Sequence, residues 1–424
     1  MDRSLKDWLN WQQGLHPREI ELGLSRVSSV LTRLELSPPP HRVFTIAGTN
    51  GKGTTAHYLA ALMDAAGWRT GVYTSPHLVR YNERIRVAGK LATDQELVTA
   101  FEAVETARQT DALTYFEFGT LAALWLFDRA ALDAWVLEVG LGGRLDAVNA
   151  LDADFSLISS VDLDHQDWLG DSIELIAAEK AGILRPGRPA FYGARQLPEA
   201  IIRRAADIQA DLRVAGRDFG YERAADAWSW WCKPATERRE LPIPVPGDNP
   251  LLANISLALA AAATCAPGLV EERQIRLALA GKPPAGRSQQ LLHLDRHWLL
   301  DVAHNPQAAR ALARRLENVA PHETMTIVLG LHGNKDVDNI VRPLAPFARR
   351  WICCRAGQYA GAEPAGLASR ISKLVAGVVD WRDSPADALQ LAVDQSQSGQ
   401  WVVVCGSFEV VGPALEWLGA DELS

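Results

Sequence analysis

The sequence has 424 residues, 48% hydrophobic and 22% charged, with a formal net charge of −8, enough to bury a large core and divide into two or three domains. Charges of both signs are interspersed, and the negative balance argues against a nucleic-acid partner, whose phosphates call for a clustered positive face. An anionic small substrate needs only a locally positive site. The opening MDRSLKDWLNWQQ lacks an apolar h-region, and no uncharged apolar run reaches membrane-spanning length. Five cysteines (Cys232, Cys265, Cys353, Cys354, Cys405) are odd in number and form no CxxC pair, so neither a disulfide framework nor a zinc site is expected. The expectation is a cytoplasmic protein with no membrane partner.

In chain order, short apolar runs alternate with helical periodicity, the pattern of a parallel α/β sheet. Val43 to Ala47 reads as a strand, followed by a Gly-rich turn and a helix to about Ala66. Thr70 to Thr74 is a second strand, and Thr93 to Glu96 forms a capping box that opens a helix to about Gln109. Phe118 to Asp128 is apolar all round and predicts a buried helix. Ala134 to Val139 and Phe155 to Ser160 are further strands, and a capped helix begins at Asp171 to Glu174. From Phe219 to Pro246, Trp228, Trp230 and Trp231 sit among prolines and charges, which suggests an antiparallel excursion. Helices at about Leu251 to Thr264 and Arg273 to Ala280 follow. Gly281 to Gly286 (GKPPAG) is the clearest linker, since Pro and Gly break both element types. Strand-like runs at 298–302, 325–330, 350–354 and 401–405 then alternate with helices. The division expected is a first domain over 1–284 and a smaller α/β domain over 285–424.

Ala47-Gly48-Thr49-Asn50-Gly51-Lys52-Gly53-Thr54-Thr55 lies between a predicted strand and a predicted helix. Its glycines let successive N–H groups face phosphate oxygens, the helix start adds partial positive charge, and Lys52 can reach the β- and γ-phosphates. The spacing departs from GxxxxGK[ST], because the first Gly precedes Gly51 by three residues and Gly53 intervenes before Thr54. An ordinary βα turn would leave the lysine and both threonines unexplained.

Further motifs follow in order: Thr74-Ser75-Pro76-His77-Leu78, Asn82 to Arg86 (NERIR), Glu138 to Asp146 (EVGLGGRLD), Asp164-His165 with Trp168 to Gly170, Glu179 to Gly182 (EKAG) and Asp301 to Pro306 (DVAHNP). Together with GTNGKGT they resemble the dihydrofolate synthase/folylpolyglutamate synthase family, the folate branch of the Mur ligase superfamily, from about residue 20 to Phe408. The resemblance implies a large P-loop-containing α/β domain of Mur-ligase type and a smaller Rossmann-like α/β C-terminal domain. It implies an ATP-dependent ligase that joins L-glutamate to dihydropteroate, extends tetrahydrofolate with glutamate, and works through an acyl phosphate. It also implies ATP as co-substrate, one or two Mg²⁺ ions, and a monomer.

Residue by residue, the resemblance assigns Ser75, Glu138 and His165 to the metal and Thr49, Asn50, Gly51, Lys52, Gly53 and Thr54 to ATP. In the second domain it assigns Arg287 and Asp301 to ATP as well. Asn254 is expected at adenine, with Asn249 the alternative. Lys52, Lys180 and Glu138 are the expected catalytic residues, Lys180 as N6-carboxylysine, which helps hold a second metal. Such carbamylation needs a neutral amine, hence a site that depresses the lysine pKa; the alternative is an unmodified lysine pairing with phosphate or carboxylate. Leu22, Gly23 and Leu24, with Thr114, Tyr115, Phe116 and Glu117, and Leu145, Asp146 and Ala147, are expected to line the pterin pocket. Phe116 could stack on the pterin or be core, and Asp146 could accept from its amino groups. His304 and Ser407 are expected to hold the incoming glutamate. Glu138 could instead cap the turn at Gly140–Gly143, His165 be a plain loop histidine or one bonded to Asp162 or Asp164, and Arg287 a solvated linker charge.

Three rivals predict otherwise. Cell-wall amino-acid ligases of the same superfamily carry an N-terminal UDP-sugar domain, for which a phosphate loop beginning at Gly48 leaves no room. A P-loop switch or motor would hydrolyse nucleotide without an amino acid and would not explain DVAHNP. A non-catalytic nucleotide-binding protein would tolerate loss of Glu138.

Overall fold

The computed structural model describes residues 3–18, 20–36, 39, 42–234, 236–244, 249–320, 324–357 and 361–420. The chain forms two compact units: Met1–Pro76 with Tyr81–Lys282, and Pro283–Ser424 with His77–Arg80. The division therefore falls within the GKPPAG segment, where Pro283 and Pro284 cannot donate to a helix or sheet ladder.

The first unit holds an eight-stranded sheet made of β1 (Val43–Ala47), β2 (Thr70–Tyr73), β3 (Ile85–Val87), β4 (Lys90–Leu91), β5 (Ala134–Glu138), β6 (Phe155–Ile158), β7 (Pro189–Tyr192) and β8 (Asp211–Val214). Their order is β4-β3-β2-β5-β1-β6-β7-β8. Pairings from β2 through β8 are parallel, while β3 and β4 close one edge antiparallel. Every residue of β1 and β5 is buried, as a strand covered by helices on both faces requires. The chain leaves β1 for one side of the sheet and later returns to the other. The carboxyl ends of β5, β1 and β6 thus flank a topological switch point, where open α/β sheets bind ligands.

Helix Lys52–Ala65 packs its apolar side with helix Asn249–Cys265 on one face of this sheet. On the other face, Phe118, Leu121 and Leu124 of helix Tyr115–Asp128 enter a second cluster with Phe101 and Trp135. That helix starts three residues before the apolar run because Thr114 and Glu117 form a capping box, as Thr93 and Glu96 do for helix Asp94–Arg108; each cap stabilises by about 1 kcal/mol. The tryptophan-rich excursion is a three-stranded antiparallel sheet, β11-β10-β9, of β9 (Phe219–Arg223), β10 (Ala227–Cys232) and β11 (Thr236–Pro242). Trp228 and Trp230 alternate inward on β10. Val245 and Pro246, the expected end of this segment, lie outside the described residues.

The second unit has a six-stranded sheet, β12-β13-β17-β14-β15-β16, built from β12 (Gln289–His293), β13 (Arg296–Asp301), β14 (Met325–Leu329), β15 (Ala348–Cys353), β16 (Val378–Trp381) and β17 (Trp401–Cys405). Only the β12–β13 pairing is antiparallel. Apolar clusters cover both faces. All five cysteines are unpaired thiols, and no helix among the described residues is long and apolar enough to cross a membrane.

Candidate active site

At the carboxyl end of β1 the chain turns through Gly48 to Gly51 into helix Lys52–Ala65. Gly51 has φ of 87°, and a Cβ there would fall 2.3 Å from Oδ1 of Asn254, so the loop accepts only glycine at this point. Asn254 lies on the phosphate loop, whereas the carbonyl of Asn249 accepts from the Tyr221 hydroxyl at 2.9 Å.

Lys52 Nζ folds over the loop and donates to the Gly48 carbonyl at 3.1 Å. The Thr49 hydroxyl bridges to the backbone of Asp162, donating to its carbonyl and accepting from its N–H, each at 3.0 Å. The Thr49 N–H meets the Ser160 carbonyl at 2.8 Å and the Asn50 N–H meets Ser160 Oγ at 3.2 Å. Thr49 and Asn50 thereby tie the loop to the segment after β6, a role their motif did not disclose. Thr54 is buried in the first helical turn.

Glu138, the last residue of β5, is 4% exposed. Its Oε2 accepts the Ser75 N–H at 3.0 Å, and a Cβ on Gly53 would lie 3.3 Å from the same oxygen. One carboxylate therefore touches both the phosphate loop and Ser75. At the Gly140–Gly143 turn, Asp146 accepts from the N–H groups of Leu141 (2.9 Å) and Val148 (3.1 Å). His165 precedes helix Gln166–Leu169 in a left-handed conformation, φ 51°. Its backbone N–H donates to Asp164 Oδ1 at 2.9 Å.

Ser75 and Glu138 offer hard oxygen donors near where phosphates would lie, a set that fits Mg²⁺, which takes one or two protein ligands and fills its octahedron with phosphates and water. The His165 imidazole is a softer donor. Among the described residues no three His, Cys, Asp or Glu side chains gather into a complete metal cage.

Lys180, on helix Ile173–Ala181, is 3% exposed. Burial and the charge of Lys52 bring its amine down to about 7, opposed by Asp164, Asp146 and Glu179. Asp146 moves the other way, to about 7, because burial outweighs its backbone donors and the charge of Lys52. A depressed amine and a raised carboxyl thus share one enclosed neighbourhood beside the phosphate loop.

The segments expected to line the pterin pocket meet. Gly23 N–H donates to the Leu145 carbonyl at 3.2 Å, joining half-buried Leu22 and Leu24 to the loop that carries Asp146 and Ala147. Arg26 Nη2 donates to Glu117 at 2.8 Å, joining the same stretch to helix Tyr115–Asp128. Phe116 is half-buried, with its ring packed on Gly140, where a Cβ would sit 2.7 Å away. It is neither full core nor fully open. Tyr115 is likewise half-buried. Thr114 and Glu117 bond each other in the capping box, and the other Glu117 carboxylate oxygen takes the Arg26 guanidinium. Arg26 escaped the sequence reading. Its only local signal is a basic residue five positions after Glu21, which it also contacts, at 2.9 Å.

In the second unit the expected residues again collect at carboxyl ends of parallel strands. Asp301 closes β13 and accepts from both the N–H and the hydroxyl of Ser288 at 2.9 Å. Half-buried Arg287 sets its guanidinium 5.3 Å from the Phe408 ring centroid. His304 Nδ1 is 2.8 Å from the Val302 carbonyl. Ser407 follows β17 and is 5% exposed.

An α/β unit with a phosphate loop, joined to a second α/β unit, defines a nucleotide-dependent enzyme of the Mur ligase class. Residues 46–262 match the Mur ligase middle domain and residues 286–408 the Mur ligase glutamate ligase domain. The dihydrofolate synthase/folylpolyglutamate synthase of Escherichia coli strain K12 is 40% identical over 98% of this chain and 96% of its own length. Escherichia coli FolC in complex with DHPP and ADP superposes with a TM-score of 0.90 at 37% identity, covering 99% of this chain and 98% of that one. A bifunctional folylpolyglutamate synthase/dihydrofolate synthase with Mn, AMPPNP and L-glutamate bound gives 0.88 at 39% identity, covering 98% of each chain. The chain belongs to the dihydrofolate synthase/folylpolyglutamate synthase family of Mur ligases.

Proposed function

We propose that the chain joins L-glutamate to dihydropteroate and extends tetrahydrofolate with further glutamate, consuming ATP and forming an acyl phosphate. The observation that carries this reading is the position of Glu138, whose one carboxylate touches both the phosphate loop and Ser75. A carboxylate oxygen is a poor leaving group, so the acceptor must first take the γ-phosphoryl group. The glutamate amine then attacks the carbonyl, the tetrahedral intermediate collapses, and inorganic phosphate leaves with one oxygen of the acceptor.

In this reading Gly51, Gly53 and Thr54 present the phosphate-binding turn, Lys52 neutralises the phosphates, and Asn254 borders the nucleotide. Arg287 and Asp301 of the second unit are given to the nucleotide, and His304 and Ser407 to the incoming glutamate. Fixed cations and donors aimed at developing negative charge lower the barrier without reorganising. Ser75 and Glu138, with His165, would hold magnesium, which would supply further positive charge to the phosphoryl oxygens. Lys180, part of whose population is neutral at pH 7, takes up CO₂ to become N6-carboxylysine and releases a proton. Leu22 to Leu24, Thr114 to Glu117 and Leu145 to Ala147 enclose the flat pterin, with Asp146 facing its amino groups. The chain acts as a cytoplasmic monomer on small molecules, with no nucleic-acid or membrane partner.

The test is phosphate release from ATP and Mg²⁺ by purified protein. Release should require a pteroate-type acceptor and L-glutamate together, and the phosphate should carry ¹⁸O from a labelled acceptor carboxylate. Turnover with a UDP-sugar peptide and with neither folate acceptor would overturn the folate reading. Unlabelled phosphate would overturn the acyl phosphate.

A further inference from the structure

Strands β14 and β17 are neighbours, with Leu329 paired to Cys405 at their carboxyl ends. The chain beyond each strand therefore emerges side by side, bringing His332 against Ser407 and Glu409. His332 Nε2 is 3.3 Å from Ser407 Oγ and 2.9 Å from Glu409 Oε2. Ser407 caps helix Phe408–Trp417, its Oγ accepting the Glu409 N–H at 3.2 Å. The backbone makes room for this arrangement at Gly357. Its φ is 72°, and a Cβ there would lie 2.4 Å from the Glu409 carboxylate.

The hydrogen-bond roles follow from inventory. An ionised carboxylate only accepts, so the nitrogen beside Glu409 carries a hydrogen, and Nε2 can reach Ser407 only as a donor. A hydroxyl has two acceptor lone pairs and one hydrogen. With the Glu409 N–H on one lone pair and the single His332 Nε2–H, shared between Glu409 Oε2 and Ser407 Oγ, on the other, the Ser407 hydrogen is directed outward to an acceptor. An acceptor bearing negative charge makes the stronger bond.

We propose that His332, held in its tautomer by Glu409, is a positioning residue that commits Ser407 to donate a hydrogen bond to a carboxylate of the incoming amino acid. This rests on the reading of Ser407 as a glutamate contact and adds what orients it. His332 itself reaches the substrate only through Ser407.

The experiment compares His332→Ala, His332→Gln, Ser407→Ala and the double alanine variant, each checked for an unchanged melting temperature. It reads KM for L-glutamate at saturating ATP and dihydropteroate, and KM for ATP. Each single alanine variant should raise KM for glutamate about tenfold, the loss of one charge-assisted hydrogen bond. The double variant should be no worse than either, because the two side chains act as one unit. His332→Gln, which returns an N–H near the Nε2 position, should recover most of the loss, and KM for ATP should not move. If His332→Ala leaves KM for glutamate within about twofold while Ser407→Ala raises it, the proposal fails and the Ser407 reading stands. If Ser407→Ala changes nothing, both fall. Multiplied effects of roughly a hundredfold in the double variant would mean independent contacts, and would overturn the coupling.

Discussion

The guanidinium of Arg26 donates from Nη2 to Oε1 of Glu117 at 2.8 Å, pinning a carboxylate side chain that is only 4% exposed. A second branch of the same guanidinium holds Glu21 at 2.9 Å. Two segments ninety-one positions apart are thereby fixed where the pterin pocket is proposed. Arg26→Ala leaves the Glu117 charge buried without its cation, a loss of about 2–4 kcal/mol once the partial exposure of Arg26 is allowed for. The expected result is a lower melting temperature and a KM for dihydropteroate raised about tenfold with KM for ATP unchanged. Equal loss in both constants would refute a role confined to the acceptor pocket.

Glu138→Gln keeps an oxygen for the Ser75 N–H and should melt like the parent. It removes the negative charge proposed for the metal, so kcat should fall roughly a thousandfold, about 4 kcal/mol of transition-state stabilisation. Calorimetric melting with steady-state turnover is the check. Normal activity in a normally folded variant would remove Glu138 from the metal site.

Asn254→Ala should raise KM for ATP by about an order of magnitude, whereas Asn249→Ala should leave it near the parent value, since only the former packs on the phosphate loop. Nucleotide affinity by titration calorimetry separates the two. Gly51→Ala should abolish nucleotide binding, because its Cβ would meet Asn254 at 2.3 Å.

Burial, then the charge of Lys52, lowers the pKa of the Lys180 amine. An amine at its ordinary value of 10.5 has fewer than about one neutral molecule in a thousand at pH 7, whereas one at about 7 is neutral in roughly half. Incubation with ¹³C-bicarbonate should give a carbamate resonance that is absent from Lys180→Ala. That variant should be inactive, with part of its activity restored by short carboxylates. An active parent protein carrying only an unmodified amine would refute the modification.

Asp146 sets a stability trend with a definite sign. Its folded value, about 7, lies above the ordinary 3.8, so between these values the native state binds a proton that the unfolded chain lacks. This contribution is fully present below about pH 4 and is lost as pH rises through about 7. Asp146→Asn, which cannot titrate, should flatten that slope in urea-midpoint measurements from pH 4 to 8. An identical slope in parent and variant would place the titration elsewhere.

By itself the sequence determined the strands and helices that carry motifs, because those signals are short-range. The pattern at Val43 to Ala47 gives β1 at its full length, and Thr93 with Glu96 marks a helix start through a bond three residues long. It also determined the family, since ordered motifs along nearly the whole chain match one enzyme class. The edge and short strands β3, β4, β7, β8, β12 and β16 were not legible, because pairing with a neighbour, not an internal pattern, holds them in place. Only the tertiary structure decided that Asn254 rather than Asn249 meets the loop, that Arg26 clamps Glu117, and that His332 lies between Ser407 and Glu409. It alone decided that Lys180 is buried. Helical periodicity predicts which residues share a face, but the dielectric and the charges around an amine depend on what distant segments bring to it, here Lys52, Asp146 and Asp164.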